Sequence, residues 1–330
     1  MHIRDGILAP EVCLLAGAVS LGAVAYSLRR LRLDLEDRAV PLTGMLAALV
    51  FAGQMVNFPL FGLPVSGHLL GGVLAAVMLG PWAGCLAITM VLVVQAVLFS
   101  DGGLLSLGAN VLNMGVVGAW GGYAVYSTLR RLWGSGPTAT VTSAVLAAWL
   151  SVLAAAMLFC IEFGVSSRAG GFDPRGVFTL MVLYHALIGV GEALITGAVL
   201  AFVLSRRADL VPSLSPASPV RTAGGFVAAG LVGALAVASL LAPFKSDWPD
   251  GLDAVSERLG FASLEKERPP LLLGDYAVPV PEVGWWPGLS VSIAGVLGTM
   301  VVFVGAIALA GITRRHAVTV PIANSHHGQP

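Results

Sequence analysis

The chain has 330 residues, of which 57% are hydrophobic and only 11% are charged. Soluble domains carry about 25% charged residues, and the apolar runs here repeatedly exceed the ~20 residues that cross a bilayer. The composition therefore excludes an ordinary soluble protein and predicts a lipid bilayer as the surrounding medium. The 18 basic and 18 acidic residues balance and form no basic block, so nucleic-acid binding has no support.

Nine membrane spans are predicted from the apolar segments, so the expected fold is an all-α, polytopic bundle of transmembrane helices. The predicted spans are residues 8–28, 42–57, 68–80, 82–99, 104–129, 139–161, 176–204, 223–243 and 288–312. Seven of these spans form a first block and two form a second. Gly80-Pro81 separates the third span from the fourth, because proline stops or kinks a helix. The third span has the length of a half-span.

Arginines follow the ends of alternate spans. If the chain starts outside, they fall inside at four separate connections, which is the positive-inside pattern. These residues are Arg29, Arg30, Arg32, Arg38, Arg130, Arg131, Arg206, Arg207, Arg221, Arg314 and Arg315. We therefore expect the N-terminus outside and the C-terminus in the cytoplasm. The outside connections then carry Asp101, Asp173, Asp247, Asp250 and Asp253, and an acidic outer face suits a cation.

A polar segment divides the chain into two parts. Residues 206–222 contain several prolines and no apolar period, which predicts a linker. It separates a membrane domain of residues 1–205 from an accessory region of residues 223–330. The accessory region is predicted as two helices around an outside loop of residues 244–287, followed by a cytoplasmic tail. Trp285 and Trp286 lie where an aromatic anchor at the membrane interface is expected.

The first two residues offer three nitrogen atoms to a metal ion. Met1 is expected to keep a free α-amine, because a residue as large as His2 disfavours removal of the initiator methionine. The Met1 amine and the His2 backbone nitrogen close a five-membered chelate ring, and that nitrogen and the imidazole close a six-membered ring. With the amide deprotonated, the three nitrogens lie nearly in one plane, which favours Ni²⁺ or Cu²⁺ over Zn²⁺, Mg²⁺ or Ca²⁺.

A fourth nitrogen would complete the square, and the chain has six histidines. Four of them are in unsuitable places: His185 within the seventh span, and His316, His326 and His327 on the predicted inside. His68 lies in an outside turn at the mouth of the third span, on the same face as His2. The sequence therefore predicts a metal site of Met1, His2 and His68. The alternative is an ordinary N-terminus, since any protein that begins Met-His has this dipeptide.

Several further polar residues lie in or beside the predicted spans, where unpaired polar groups are costly. Asn57, Asp101, Asn110 and Asn113 are candidates for hydrogen bonds that orient His2 or His68. Asn110 and Asn113 share a helix face, and their alternative role is hydrogen bonding between helices.

His185 and Glu192 lie seven residues apart on one face of the seventh span. They admit two interpretations, an internal polar clasp or a proton relay. Gln95, a polar residue within the fourth span, is a similar case.

Six short motifs stand out along the chain. They are Met1-His2-Ile3-x-Asp5-Gly6, Ser66-Gly67-His68-Leu69-Leu70-Gly71-Gly72, Leu79-Gly80-Pro81-Trp82-Ala83-Gly84, Phe99-x-Asp101-Gly102-Gly103, Gly108-Ala109-Asn110-x-Leu112-Asn113-Met114-Gly115 and Gly189-x-Gly191-Glu192-Ala193. Together they resemble the M-type substrate-binding (S) subunit of nickel/cobalt energy-coupling factor (ECF) transporters, over residues 1 to about 205. The segment Trp248-Pro249-Asp250-Gly251-Leu252-Asp253-Ala254-Val255-Ser256-Glu257 resembles the Pro-Asp-Gly-Leu-Glu segment of the N-type accessory subunit. The whole chain thus resembles an M–N fusion.

This resemblance implies capture of Ni²⁺, with Co²⁺ as the alternative, at the extracytoplasmic face of a prokaryotic cell membrane. The implied ligands are the Met1 amine, the two His2 nitrogens and the His68 imidazole. It also implies a transporter subunit rather than an enzyme, with a transmembrane coupling (T) subunit and two cytoplasmic ATPase subunits as partners. The chain itself has no Gly-x-x-x-x-Gly-Lys-Ser/Thr loop.

Two other classes of function stay open: a self-sufficient transporter in which His185 and Glu192 relay protons, and a membrane metal sensor that binds without transport. One residue departs from the family pattern. Arg4 stands where nickel-type members usually have proline, and we expect its positive charge to pair with Asp5 or Asp101.

Overall fold

The computed structural model describes residues 1–34, 39–60, 62–212, 214, 224–266, 272–278 and 288–318. The predicted all-α membrane fold is confirmed. The helices are α1 (Pro10–Asp34), α2 (Ala39–Gln54), α3 (Gly72–Leu79), α4 (Pro81–Val94), α5 (Leu107–Asn110), α6 (Gly122–Trp133), α7 (Pro137–Val165), α8 (Pro174–Arg207), α9 (Gly224–Ala236), α10 (Gly251–Leu259) and α11 (Leu289–Val318). Two short antiparallel strands, β1 (Phe58–Pro59) and β2 (Ser66–Gly67), pair Phe58 with Gly67 and Pro59 with Ser66.

Within the described residues, three π-helical segments extend these helices. The first, Gln95–Phe99, continues α4, and the second, Val111–Gly121, joins α5 to α6 in one unbroken helix. The third, Val237–Leu241, continues α9. The same apolar composition is compatible with π and α winding, so the apolar run predicts the span and not the change of winding. Such segments are frequent at functional sites.

Six segments of the described chain are long and apolar enough to cross a membrane. They are Pro10–Leu31, Pro81–Phe99, Pro137–Val165, Pro174–Leu210, Gly224–Phe244 and Leu289–Ile312. The predicted second span is the shorter apolar helix α2. The predicted third span contains only the eight residues of α3, about 12 Å of helix, far short of the ~30 Å hydrocarbon core. The total span count and the side that each terminus faces stay predictions.

The two accessory helices pack directly on the first block. Helix α2 contacts both α9 and α11, and α11 also contacts α1 and α4. Glycines permit these close approaches: a Cβ on Gly298 of α11 would overlap the Phe51 ring of α2, and one on Gly230 of α9 would overlap Met45. The helices on either side of the predicted linker therefore share one core around α2.

The loop between the accessory helices also folds against the first block. Asp250 caps α10 by accepting hydrogen bonds from the amides of Leu252 and Asp253. This helix was not predicted, because its nine residues are amphipathic rather than apolar throughout. Phe261, just beyond α10, is fully buried, with its ring 4.7 Å from that of Phe163 of α7.

Some predictions fall on other parts of the chain. Helix α8 continues to Arg207 and a 3-10 turn follows at Ala208–Leu210, so the first residues of the predicted linker are helical. Most of the remaining linker lies outside the described residues, as do Arg38, Arg221, Trp285, Trp286 and the tail beyond residue 318.

Candidate metal site

Four segments converge at one end of the bundle. They are the N-terminal residues 1–6, the residues between β2 and α3, the loop of residues 101–106, and the accessory loop around α10. Met1, His2 and His68 lie in this region and are 3%, 6% and 5% exposed. The three residues predicted to form a metal site are therefore neighbours inside the protein.

The Met1 amine is the centre of this cluster. Its nitrogen lies 2.6 Å from Nε2 of His68 and 2.6 Å from Oδ2 of Asp250. Nδ1 of His68 lies 3.0 Å from the Leu69 carbonyl. A carbonyl can only accept, so this nitrogen carries the hydrogen and Nε2 keeps a lone pair directed at the amine.

The second histidine lies beside the first. The rings of His2 and His68 stack with centroids 5.1 Å apart. His2, His68 and Asp250 each offer a ligand atom within 4.8 Å of the others. Burial lowers the pKa of His2 to about 4, although the Asp101 carboxylate acts in the opposite direction. The imidazole is therefore neutral near pH 7 and has a lone pair for a metal ion.

Hydrogen bonds hold the N-terminal backbone in place. The Asn110 side chain accepts from the Ile3 amide at 2.8 Å and donates to the Ile3 carbonyl at 3.1 Å. The Asp5 carboxylate accepts from three successive backbone amides that precede α5, those of Leu104, Leu105 and Ser106. A Cβ on Gly103 would overlap the Asp5 side chain, so the Gly-Gly pair leaves room for this approach.

A buried carboxylate holds the segment that carries His68. Glu192 of α8 accepts hydrogen bonds from the amides of Leu70 and Gly71, at 2.6 and 2.8 Å. These two residues lie between His68 and the start of α3. His185, about two helical turns earlier on the same face of α8, donates to the Met181 carbonyl at 2.8 Å. The contacts of Glu192 are those of a polar clasp.

Carboxylates line the approach to the cluster. A cavity of about 290 Å³ is bordered by His2, His68, Asp101 and Asp250, among other residues. Tyr276 donates to Oδ2 of Asp101 at 2.7 Å. Burial alone would raise the pKa of Asp250, but the Met1 ammonium and His68 hold that pKa well below its usual range. Asp250 is therefore ionised beside the nitrogen cluster.

One of the expected contacts is wrong. Asn113 was a candidate for orienting His2 or His68, but its amide donates to Glu162 of α7 at 2.8 Å. Its neighbour Asn110 reaches the N-terminal backbone because it lies one helical turn nearer the 101–106 loop. Asn57 borders the cavity, and its backbone carbonyl accepts from the Ser246 amide.

Arg4 also pairs differently from the prediction. Its guanidinium lies 3.2 Å from Asp253 and 3.5 Å from Glu265, both in the accessory loop. Asp5 is not its partner because the three amides before α5 already surround that carboxylate.

Sequence reasoning missed the part that Asp250 plays in the cluster. In the sequence, Asp250 is one of several outside carboxylates and part of a family motif. Its place in the Pro-Asp-Gly-Leu motif was the one available signal, because a contact with a residue 249 positions away leaves no local pattern.

Membrane-crossing helices and a buried group of metal-ligating atoms at one end define a multi-pass membrane protein that handles a metal ion. Residues 2–210 match the CbiM family, described as a cobalt uptake substrate-specific transmembrane region, and residues 224–315 match the PDGLE domain. The chain belongs to the CbiM family and carries a PDGLE domain after it. The predicted resemblance to an M–N fusion is confirmed.

Similar proteins are transporters. A protein of Archaeoglobus fulgidus, provisionally named a fused nickel transport protein, NikMN, is 33% identical over 95% of this chain and 99% of its own length. A cobalt transport protein, CbiM, of Sorangium cellulosum is 35% identical over 65% of this chain and 96% of its own length. The crystal structure of a truncated transition metal transporter covers 62% of this chain and 99% of its own, with TM-score 0.56 and 29% identity. The predicted multi-pass prokaryotic membrane protein is confirmed.

Proposed function

We propose that this chain is the substrate-capture (S) component of an ATP-driven ECF importer for Ni²⁺, and that it binds the ion at the extracytoplasmic face through its free N-terminus. The observation that carries the proposal is the 2.6 Å distance between the Met1 amino nitrogen and Nε2 of His68. The Met1 amine and the His68 imidazole, which can each bind a proton or a metal ion, are in contact inside the protein, and the His2 ring stacks on the His68 ring.

The ligand chemistry of this cluster suits a late transition metal. The proposed donors are the Met1 amine, the His2 backbone nitrogen, a ring nitrogen of His2 and Nε2 of His68. Nitrogen donors in a plane favour Ni²⁺, and binding displaces protons from the amine and the amide. Relatives of this chain carry the names of both nickel and cobalt transport proteins, so Co²⁺ is the competing substrate.

Energy for transport is proposed to come from partner subunits. The sequence has no phosphate-binding Gly-x-x-x-x-Gly-Lys-Ser/Thr loop, and its two lysines are Lys245 and Lys266. A transmembrane T subunit and two cytoplasmic ATPase subunits would supply the coupling and the ATP hydrolysis. The contacts of Glu192 with two backbone amides support the clasp interpretation over a proton relay.

The test of the N-terminal site is a one-residue extension. An alanine added before Met1 moves the amine by about 3.5 Å, so we expect nickel affinity to fall at least a hundredfold in titration calorimetry. The control is the same alanine added after Pro330, which should bind as the wild type does. Equal nickel affinity in both extended proteins would refute the N-terminal site, and tighter cobalt than nickel binding by the wild type would reassign the substrate.

The partner proposal has its own test. Proteoliposomes that contain the chain with the T and ATPase subunits should take up ⁶³Ni²⁺ only when ATP is present on the side of the ATPases. Equal uptake by the chain without its partners would favour a self-sufficient transporter. Binding without uptake in either preparation would favour a metal sensor.

A further inference from the structure

We propose that Gln54 and Gln95 form an amide relay that sets the tautomer of His2, with the ring hydrogen on Nε2 and the lone pair on Nδ1. The inference deepens the proposed function and rests on it, because it states how His2 is prepared as a ligand. Neither glutamine is itself a metal ligand in this account. Both act as positioning residues.

The relay is a chain of three hydrogen bonds. Nε2 of His2 lies 3.1 Å from Oε1 of Gln95. Nε2 of Gln95 donates to Oε1 of Gln54 at 2.9 Å. Nε2 of Gln54 donates to the Leu70 carbonyl at 2.9 Å. The relay therefore runs from the His2 ring to the segment between His68 and α3.

The direction of the relay is fixed at its far end. The Leu70 carbonyl can only accept, so Gln54 must present its NH₂ group there and its oxygen to Gln95. Gln95 must then present its NH₂ group to Gln54 and its oxygen to His2. An oxygen can only accept from the ring, so Nε2 of His2 is the nitrogen that bears the hydrogen. Nδ1 is left with the lone pair.

This tautomer is the one that a chelate requires. Nδ1 is the ring nitrogen that closes a six-membered ring with the His2 backbone nitrogen, whereas Nε2 points away toward Gln95. Oδ1 of Asp101 lies 3.3 Å from Nδ1. A carboxylate oxygen and a lone pair repel each other unless a proton or a metal cation lies next to both, and the relay places the ring's hydrogen on Nε2. The surroundings of Nδ1 therefore favour a cation at that nitrogen.

The relay also connects the two histidine segments. Gln54 is the last residue of α2, and Gln95 opens the π-helical end of α4. The Gln95 backbone carbonyl accepts from the Asp101 amide at 3.1 Å, which places Asp101 beside His2. Both glutamines are buried, at 4% and 0% exposure, so water competes little for these hydrogen bonds.

Nitrogen-15 NMR of the metal-free protein, labelled in histidine, tests the proposal directly. We expect the wild-type His2 signals to report Nε2–H, with assignment by their loss in His2→Ala. Gln54→Met removes the far end of the relay without touching His2. Both Gln54→Met and Gln95→Met should convert His2 to a mixture of tautomers and lower nickel affinity about 10- to 100-fold.

The control variant is Thr89→Val. The Thr89 hydroxyl donates to the Cys85 carbonyl within α4, outside the relay, so this variant should keep the wild-type tautomer and affinity. A wild-type His2 with its hydrogen on Nδ1 would overturn the proposal. So would Gln54→Met and Gln95→Met proteins, folded by their thermal transitions, that keep both the tautomer and the affinity of the wild type.

The outcome for His2→Ala separates this inference from the proposed function. If His2→Ala binds nickel as the wild type does, the N-terminal site itself is wrong. If His2→Ala abolishes binding and the two glutamine variants bind normally, the site stands and the relay is wrong.

Discussion

Oδ2 of Asp250 lies 2.6 Å from the amino nitrogen of Met1 and 3.6 Å from Nε2 of His68. His68 belongs to the region that matches the CbiM family, residues 2–210, and Met1 directly precedes that region, whereas Asp250 belongs to the PDGLE domain. Two backbone contacts lie nearby, from Ser66 to the Pro249 carbonyl and from Lys266 to the Asp5 carbonyl. The PDGLE domain therefore forms one wall of the candidate site in the fused chain.

We expect Asp250→Asn to weaken nickel binding about tenfold, which is the lower end of the effect of removing a partner of a metal ligand. The Asp250 carboxylate is attracted more strongly to a doubly charged ion than to the singly charged Met1 ammonium. Removal of the carboxylate charge therefore weakens the metal-bound state more than the metal-free state. Asparagine also caps helices, so α10 should persist. Asp247→Asn is the control, because Asp247 borders the same cavity and is exposed. Equal affinities for the two variants would contradict this account.

Glu192→Gln should lower thermal stability and nickel affinity together. Glutamine can accept from one of the Leu70 and Gly71 amides but presents an NH₂ group to the other, at a cost of about 1–3 kcal/mol for a buried unsatisfied donor. Glu162→Gln is the matched control: this buried glutamate accepts a hydrogen bond from Asn113, which glutamine can also accept. Calorimetric unfolding and nickel titration check both variants. A Glu192→Gln protein with unchanged stability but altered pH dependence of transport would instead indicate a proton relay.

Arg4→Ala should change nickel affinity by less than tenfold. The Arg4 side chain is 52% exposed, and its charge is already balanced by Asp253 and Glu265, so the ion does not experience a lone positive neighbour. Exposed ion pairs contribute about 0–1 kcal/mol and are screened by salt. Nickel titrations at low and high ionic strength measure the effect. A large gain in affinity would mean that Arg4 repels the substrate despite its two partners.

Acid should destabilise the folded, metal-free protein through protonation of His2. The pKa of His2 is lowered from 6.5 to about 4 by burial, so the unfolded chain binds a proton more readily than the folded one does. The stabilisation by neutral His2 is complete above pH 6.5 and is lost as the pH falls through 4, by about 3 kcal/mol in total. The free energy of unfolding can be measured in the presence of a chelator for the wild type and for His2→Ala. The difference between the two proteins should shrink as the pH falls from 6.5 to 4. A difference independent of pH would contradict the buried, neutral His2.

The sequence predicted the helical fold well because apolar runs and proline breaks are local signals. Gly80-Pro81 separates α3 from α4 as expected, and Pro137 and Pro174 each begin a helix. The π-helical turn that starts at Gln95 was not predicted, because a change from α to π winding leaves the composition unchanged.

The candidate site was predicted only in part. The free amine of Met1, the chelating position of His2 and the scarcity of histidines pointed to His68, and the structure brings these three residues together. Asp250 and the hydrogen bonds of Gln54 and Gln95 depend on how distant segments pack. No periodicity in the chain encodes those contacts.

The most direct test of the N-terminal site is the ligand-field spectrum of the nickel-loaded protein with its native N-terminus. We expect one Ni²⁺ per chain and the absorption of a diamagnetic, square-planar nitrogen complex, which the Met1, His2 and His68 donors would give. His68→Ala, which removes the fourth nitrogen, should lose this absorption. An octahedral nickel spectrum in the wild type, or a square-planar spectrum that persists in His68→Ala, would contradict the proposed site.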